Sequence, residues 1–117
     1  MTINVRDLAR ARHFYAAALG TLGLSERSDE FGRVGYGTEG QEDFGMYDSA
    51  NADGFRHAHG AFYAASHEAV DAFHAAALAA GGRSLSEPRD RPEFGTGYYS
   101  AYVVDPEGNG LEAAYRP

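Results

Sequence analysis

The stretch "DPEGNGLEAAY", residues 105–115, joins a run of turn formers to a short apolar segment and sets one carboxylate, Glu112, inside that segment. Asp105, Pro106, Glu107 and Gly108 suit a type I turn, with Asp first, Pro second and Gly fourth. That turn makes a hairpin of the strands expected at 98–104 and 111–115. Alternation along the last strand puts Glu112 and Ala114 on one face, with Leu111, Ala113 and Tyr115 on the other. A carboxylate in a strand that otherwise looks built for burial is costly unless something pairs with it, and a metal ion is one such partner.

Upstream, "HGAFYAASHEAVDAFHAAALAAGG", residues 59–82, predicts a strand over 58–64, Ser66 as N-cap and a helix ending at Gly81 and Gly82. The apolar stripe of that helix is Val70, Phe73, Ala77 and Leu78. The chain opens on the same plan. "TINVRDLARARHFYAAALG", residues 2–20, reads as a strand over 2–5, Asp7 as N-cap and a helix closed near Gly20, with Leu8, Ala11, Phe14, Tyr15 and Ala18 as its stripe. A displacement of 59 sets Phe14 on Phe73 and the Ala-Ala-Ala-Leu run of one helix on that of the other. A second displacement, of 68, sets "EGQEDFGMY" (39–47) on "EGNGLEAAY" (107–115). Two overlays in the same order indicate an internal duplication, with module one over about 1–55 and module two over about 56–117 of a single domain. Each half then reads strand, helix and three more strands: 22–27, 31–37 and 44–47 in the first, and 83–85, 98–104 and 111–115 in the second. The extra length of the second half falls in "SEPRDRPEFGTG", 86–97, whose Pro and Gly content marks a loop.

At 117 residues the chain fits one compact domain, and 44% hydrophobic with 23% charged residues is ordinary for a folded protein. No apolar run approaches the roughly 20 residues that span a bilayer, and no signal-peptide pattern opens the chain, so a cytoplasmic protein without membrane partners is expected. With no cysteine, thiolate metal sites and thiol nucleophiles are excluded, leaving His and carboxylates as the strong metal ligands. A net charge of −7 with scattered basic residues argues against nucleic-acid binding.

The start "TINVRDLARARHFYAAALGTLGL", the "HGAFYA" strand and the closing "YYSAYVVDPEGNGLEAAY" together resemble the glyoxalase, bleomycin-resistance and extradiol-dioxygenase superfamily, the vicinal oxygen chelate proteins. The terminal D-P-x-G-N-x-x-E pattern is the most specific element of a resemblance that covers nearly the whole chain. It implies an α+β fold of two βαβββ modules forming a cupped mixed sheet around a divalent metal (Fe, Mn, Ni or Zn) that acts as a Lewis acid on substrate oxygens. It also implies a homodimer. Carried over by position, His59 and Glu112 are metal ligands. Under the overlays Glu112 matches Phe44, which cannot bind metal, and His59 matches the position immediately before Met1, so the natural chain is expected to begin a few residues upstream. Phe44 and Tyr63 are expected to line the substrate pocket.

Three readings stay open: a metal-dependent lyase, isomerase or dioxygenase acting on a small molecule, a metal-free protein that binds a bleomycin-type drug, or an interaction domain with no small-molecule site. No residue has a forced geometry for a catalytic base; Tyr63 shares the face of His59. Asp7, Ser66 and Glu68 read as helix-start residues, His13 and His67 as exposed, and His74 as packing. Arg89 and Arg91 read as solvated loop residues, with contact to an anionic substrate as the alternative. Tyr98 and Tyr99 read as strand aromatics, core by default.

Overall fold

The computed structural model describes residues 1–30, 32–48 and 59–117. The elements run β1 (Thr2–Val5), α1 (Leu8–Gly20), β2 (Ser25–Glu30), β3 (Arg33–Thr38), β4 (Gln41–Asp48), β5 (His59–Tyr63), α2 (His67–Ala79), β6 (Arg83–Asp90), a 3-10 turn (Pro92–Phe94), β7 (Tyr99–Val104) and β8 (Gly110–Tyr115). They form two four-stranded mixed sheets, β1-β4-β3-β2 and β5-β8-β7-β6, each with one parallel pair, β1 on β4 and β5 on β8. The expected boundary between the halves, near 55, lies outside the described residues, as does the first residue of the strand expected over 58–64.

Both helices start where the capping residues place them. The Asp7 carboxylate accepts from the Arg10 N–H and the Ser66 hydroxyl from the Ala69 N–H, each satisfying a donor that the first turn leaves open. The buried stripe of α1 is Ala11, Phe14, Tyr15, Ala18 and Leu19, and that of α2 is Val70, Phe73 and Ala77. Leu78 departs from expectation and is exposed. It stands about 100° around the helix from Ala77, on the solvent flank of a narrow stripe.

The stretch 86–97 is not one loop. Its first five residues continue β6, which runs to Asp90 and pairs with β7 through Arg89↔Ser100 and Asp90↔Tyr99. Pro88 can stand there because β6 is the outer strand of its sheet and its register slips between Ser86 and Arg89, so no central ladder bond is lost.

One core serves both halves. Ile3, Val5, Phe14, Tyr15, Val34, Tyr36, Phe44 and Met46 from the first pack with Phe73, Val103, Leu111 and Ala113 from the second, and α1 packs on α2. The opposite face of each sheet carries the alternate residues: Thr2, Arg33, Gly35, Gly45 and Tyr47 on the first, and His59, Ala61, Tyr63, Ser100, Tyr102, Glu112 and Ala114 on the second.

The turn read from Asp105 closes with the Gly108 N–H bonded to the Asp105 carbonyl at 3.1 Å. Its carboxylate, buried, takes four donors: the backbone N–H groups of Glu107 and Asn109 at 2.8 and 2.9 Å, the Asn109 amide at 2.9 Å and the Tyr15 hydroxyl at 2.6 Å. Tyr15 lies on α1, so this bond ties the first helix to the last hairpin. Glu107 makes a second tie, accepting the N–H groups of Arg6 and Asp7 at 2.7 and 2.8 Å. Burial first, then the Asp105 charge, holds the Tyr15 phenol well above its usual 10.0.

Tyr15→Phe is expected to cost about 1–2 kcal/mol, and Asp105→Ala about 3 kcal/mol because it orphans several buried donors. Urea unfolding with unchanged slope measures both; equal costs would contradict the arrangement. A phenol whose folded pKa is raised adds stability that is complete below pH 10 and is lost as pH rises beyond it. The stability gap between wild type and Tyr15→Phe should therefore shrink above pH 10, and a constant gap would refute the assignment.

Candidate functional site on the open face of the second sheet

Parallel pairing of β5 with β8 sets His59 beside Gly110, Ala61 beside Glu112 and Tyr63 beside Ala114. Antiparallel pairing of β7 with β8 adds Tyr102 beside Glu112 and Ser100 beside Ala114. His59 and Glu112 thus share one face, as expected from alternation. Gly110 makes room for the imidazole, since a Cβ there would come within 2.6 Å of His59 Nδ1. The His59 ring stacks against Tyr102 at 6.4 Å between centroids.

Glu112 is 7% exposed. Its Oε2 accepts the Tyr98 hydroxyl at 2.9 Å, and Tyr102 is its cross-strand neighbour. Burial, then that bond to Glu112, pushes the Tyr98 phenol up to about 12, and burial with Glu112 raises Tyr102 as well. The Tyr98 hydroxyl offsets part of the cost of burying the carboxylate. Tyr98 in turn lines a cavity of about 200 Å³ with Ala61, Phe62, Tyr63, Ala114 and Arg116. Tyr63, 61% exposed, also borders a cavity of about 420 Å³ together with Met1, Leu22, Leu24, Asp43, Ala61 and Phe62.

Arg91 is not a solvated loop residue. It is 3% exposed and lies over the strands, with Nε donating to the Ser100 hydroxyl at 2.8 Å and Nη2 to the Ser86 hydroxyl, the Glu87 carbonyl and the Ser100 carbonyl at 2.9, 3.2 and 3.0 Å. Its guanidinium sits 4.9 Å from the centre of the Tyr102 ring. Tyr102 was legible only as the residue two places after Ser100, in phase with the polar face, and the apolar run around it hid that signal. Arg89, by contrast, is exposed and pairs with Glu93 at 3.3 Å. His67 is exposed and stacks on Tyr99, and His74 bonds the Ser84 hydroxyl at 2.8 Å, away from this face.

The overlay that matched Phe44 with Glu112 is one residue out. Tyr36 pairs with Phe44 but Gly37 pairs with Glu42, so Asp43 is an extra residue bulged out of β4. Beyond the bulge the displacement is 67: Thr2↔Gly45 corresponds to Ala61↔Glu112, and Gly35↔Gly45 to Tyr102↔Glu112. Gly45 is the counterpart of Glu112, and Phe44 that of Leu111. Phe44, expected in the substrate pocket, is 1% exposed and packs on Tyr15, Tyr36 and Phe62 at 4.7, 6.2 and 5.7 Å.

On the first sheet the place of the Glu112 and Tyr102 side chains is taken by an ion pair lying on two glycines. A Cβ on Gly45 would strike the Arg33 guanidinium, and one on Gly35 the Glu42 carboxylate. Arg33 Nη2 meets Glu42 Oε2 at 2.6 Å, and Ser28 donates to Glu42 Oε1 at 2.9 Å. Arg33 first, and Ser28 second, hold the Glu42 carboxyl below its usual range. A resident divalent metal needs about three protein donors. Among the described residues no group of three or more His, Asp or Glu side chains is placed to hold one, and the counterpart of Glu112 is a glycine beneath a guanidinium. The donor set among the described residues does not fit a metal centre.

Comparison with known proteins agrees with this architecture. Residues 1–113 match the family model described as the Glyoxalase/Bleomycin resistance protein/Dioxygenase superfamily. The structure superposes on a glyoxalase/bleomycin resistance protein from Albidiferax ferrireducens T118 with TM-score 0.86 and 35% identity, covering 99% of this chain and 96% of that one. It is similar in fold to a glyoxalase-related enzyme from Fulvimarina pelagi (TM-score 0.76, 21% identity, 100% and 86% covered) and to TioX from Micromonospora sp. ML1 (0.75, 16%, 100% and 96%). No curated protein matches the chain in sequence. The matched model and the relative from Albidiferax place the chain in a family: it belongs to the glyoxalase/bleomycin resistance protein/dioxygenase superfamily.

Proposed function

We propose that this chain is a small-molecule-binding member of its superfamily and takes its ligand on the open face of the second sheet without a resident metal. The observation that carries this reading is the small cavity bordered by Tyr63, Tyr98 and Ala114, where the Tyr98 phenol is held by the buried Glu112 carboxylate. Such a site offers flat apolar walls and a few convergent polar groups, the usual make-up of a ligand pocket. Tyr63 supplies an exposed ring, and His59 and Glu112 supply polar anchors. A bleomycin-type drug is one candidate of this kind.

A second reading is favoured by the shared face of His59 and Glu112: the two would be ligands of iron, manganese, nickel or zinc in a lyase, isomerase or dioxygenase, with further donors from outside the described residues. Under either reading a homodimer is the assembly proposed, in which a second copy covers the open faces where Tyr47 and Tyr63 stand exposed. A cytoplasmic location belongs to the same proposal; no helix among the described residues is long and apolar enough to cross a membrane.

Thermal melts against bleomycin and small planar aromatics test the binding reading. A ligand at a hundred times its Kd adds about 2.7 kcal/mol of stability. That gain is expected to vanish in Ala61→Trp, which fills the cavity from an exposed position and leaves the fold intact. Stabilisation that survives Ala61→Trp would move the ligand elsewhere. Elemental analysis separates the two readings: substoichiometric metal in wild type supports the first, whereas near-stoichiometric metal lost in both His59→Ala and Glu112→Ala supports the second.

A further inference from the structure

The guanidinium of Arg91 is a buried cation whose bonds go only to neutral acceptors, two serine hydroxyls and two backbone carbonyls. The ion pairs among the described residues involve Arg12, Arg33 and Arg89 and leave Arg91 without a carboxylate within 4.0 Å. Glu93, nearby in sequence, is turned to Arg89 and exposed. Glu112 takes the Tyr98 hydroxyl and makes no ion pair with Arg91. A cation taken out of water without a counter-charge costs several kcal/mol unless something else compensates it.

The edge formed by Nε and Nη2 is fully engaged with Ser100, Ser86 and Glu87, which fixes the fork against β6 and β7. Nη1, with two N–H groups, has no partner among the described residues, and no buried side-chain nitrogen or oxygen among them is left unsatisfied. Nη1 is therefore the atom through which this nearly sealed residue still meets solvent. Ser100, beneath the guanidinium, is the cross-strand neighbour of Ala114, which lines the cavity with Arg116.

We propose that Arg91 is an oxyanion-recognising residue of the open face, so that the ligand carries a carboxylate or a similar planar oxyanion that bonds Nη1. This rests on the ligand-binding reading above and narrows its chemistry. A held guanidinium loses little freedom on binding, and a charge-assisted bond in a partly desolvated site is stronger than a neutral one. The Tyr102 ring, 4.9 Å from the guanidinium, suits a flat body attached to the anion. Arg116, which lines the cavity, adds a second positive charge there.

The test uses benzoate, its neutral isostere benzamide and the cation benzylamine as probes of the full chain. Benzoate is expected to raise the melting midpoint and benzamide not to. Arg91→Lys keeps the charge and loses the fork, and should weaken benzoate about tenfold or more. Because Arg91 is so well packed, its side-chain N–H signals in wild-type NMR spectra give a second readout: they should shift with benzoate and stay still with benzamide. Equal effects of benzoate and benzamide, unmoved Arg91 signals, or benzoate binding that is lost in Arg116→Ala but not in Arg91→Lys would each overturn the proposal. If benzylamine or bleomycin binds in a Glu112-dependent manner while benzoate does not, the oxyanion proposal fails and the ligand-binding reading stands. If none of the probes binds, both fail.

Discussion

The buried carboxylate of Asp105 is the constraint from which the rest of the architecture follows. It gathers the two backbone N–H groups of its own turn, the Asn109 amide and the Tyr15 hydroxyl from a helix ninety residues earlier in the chain. The first three set the length of the turn, and the length of the turn sets the register of β8 on β7. Register decides face: one residue more or less would send Glu112 into the core and Leu111 into the cavity. The fourth donor fastens that hairpin to α1, so the same side chain that orients the candidate site also joins the two halves. Glu107 repeats the tie two turn positions later, at the junction of β1 and α1.

The two halves share a plan but not a chemistry, and the difference arises at one residue. Asp43 bulges from β4 where the second half has no equivalent insertion, so the strand after it is displaced by one relative to a uniform repeat. The position matching Glu112 becomes Gly45, and together with Gly35 it forms a bare floor on which Arg33 and Glu42 lie as a pair. On one face two tyrosines and a carboxylate stand up from the sheet; on the other a guanidinium and a carboxylate lie down on it. That asymmetry, more than any single missing ligand, distinguishes this chain from a symmetric metal cup.

Much of this is legible in the sequence. Asp7 and Ser66 marked the helix starts because a side-chain acceptor is wanted where backbone donors are unpaired. The alternation around Glu112 put it on the face shared with His59, and the two overlays exposed the duplication. What could not be read was geometry that depends on a partner strand. A bulge leaves no mark in a repeat of glycines and acidic residues, so Phe44 was matched to the wrong residue. Pro88 looked like a loop signal because an edge position, which tolerates it, is a property of the sheet and not of the segment. Arg91 looked solvated for the same reason: its acceptors, Ser86 and Ser100, belong to two different strands.

The outer strands bear on how the protein behaves when concentrated. Each open sheet ends in two strands with unpaired backbone groups, a template on which identical chains can stack without limit. Here β1 and β5 are short, at four and five residues, β2 reads Ser-Glu-Arg-Ser-Asp-Glu with a slip in its ladder, and β6 carries Pro88 and two slips. Each device spoils the regular row of donors and acceptors that a growing filament would copy. The irregularity of β6 that disguised it as a loop is thus also what keeps that sheet finite.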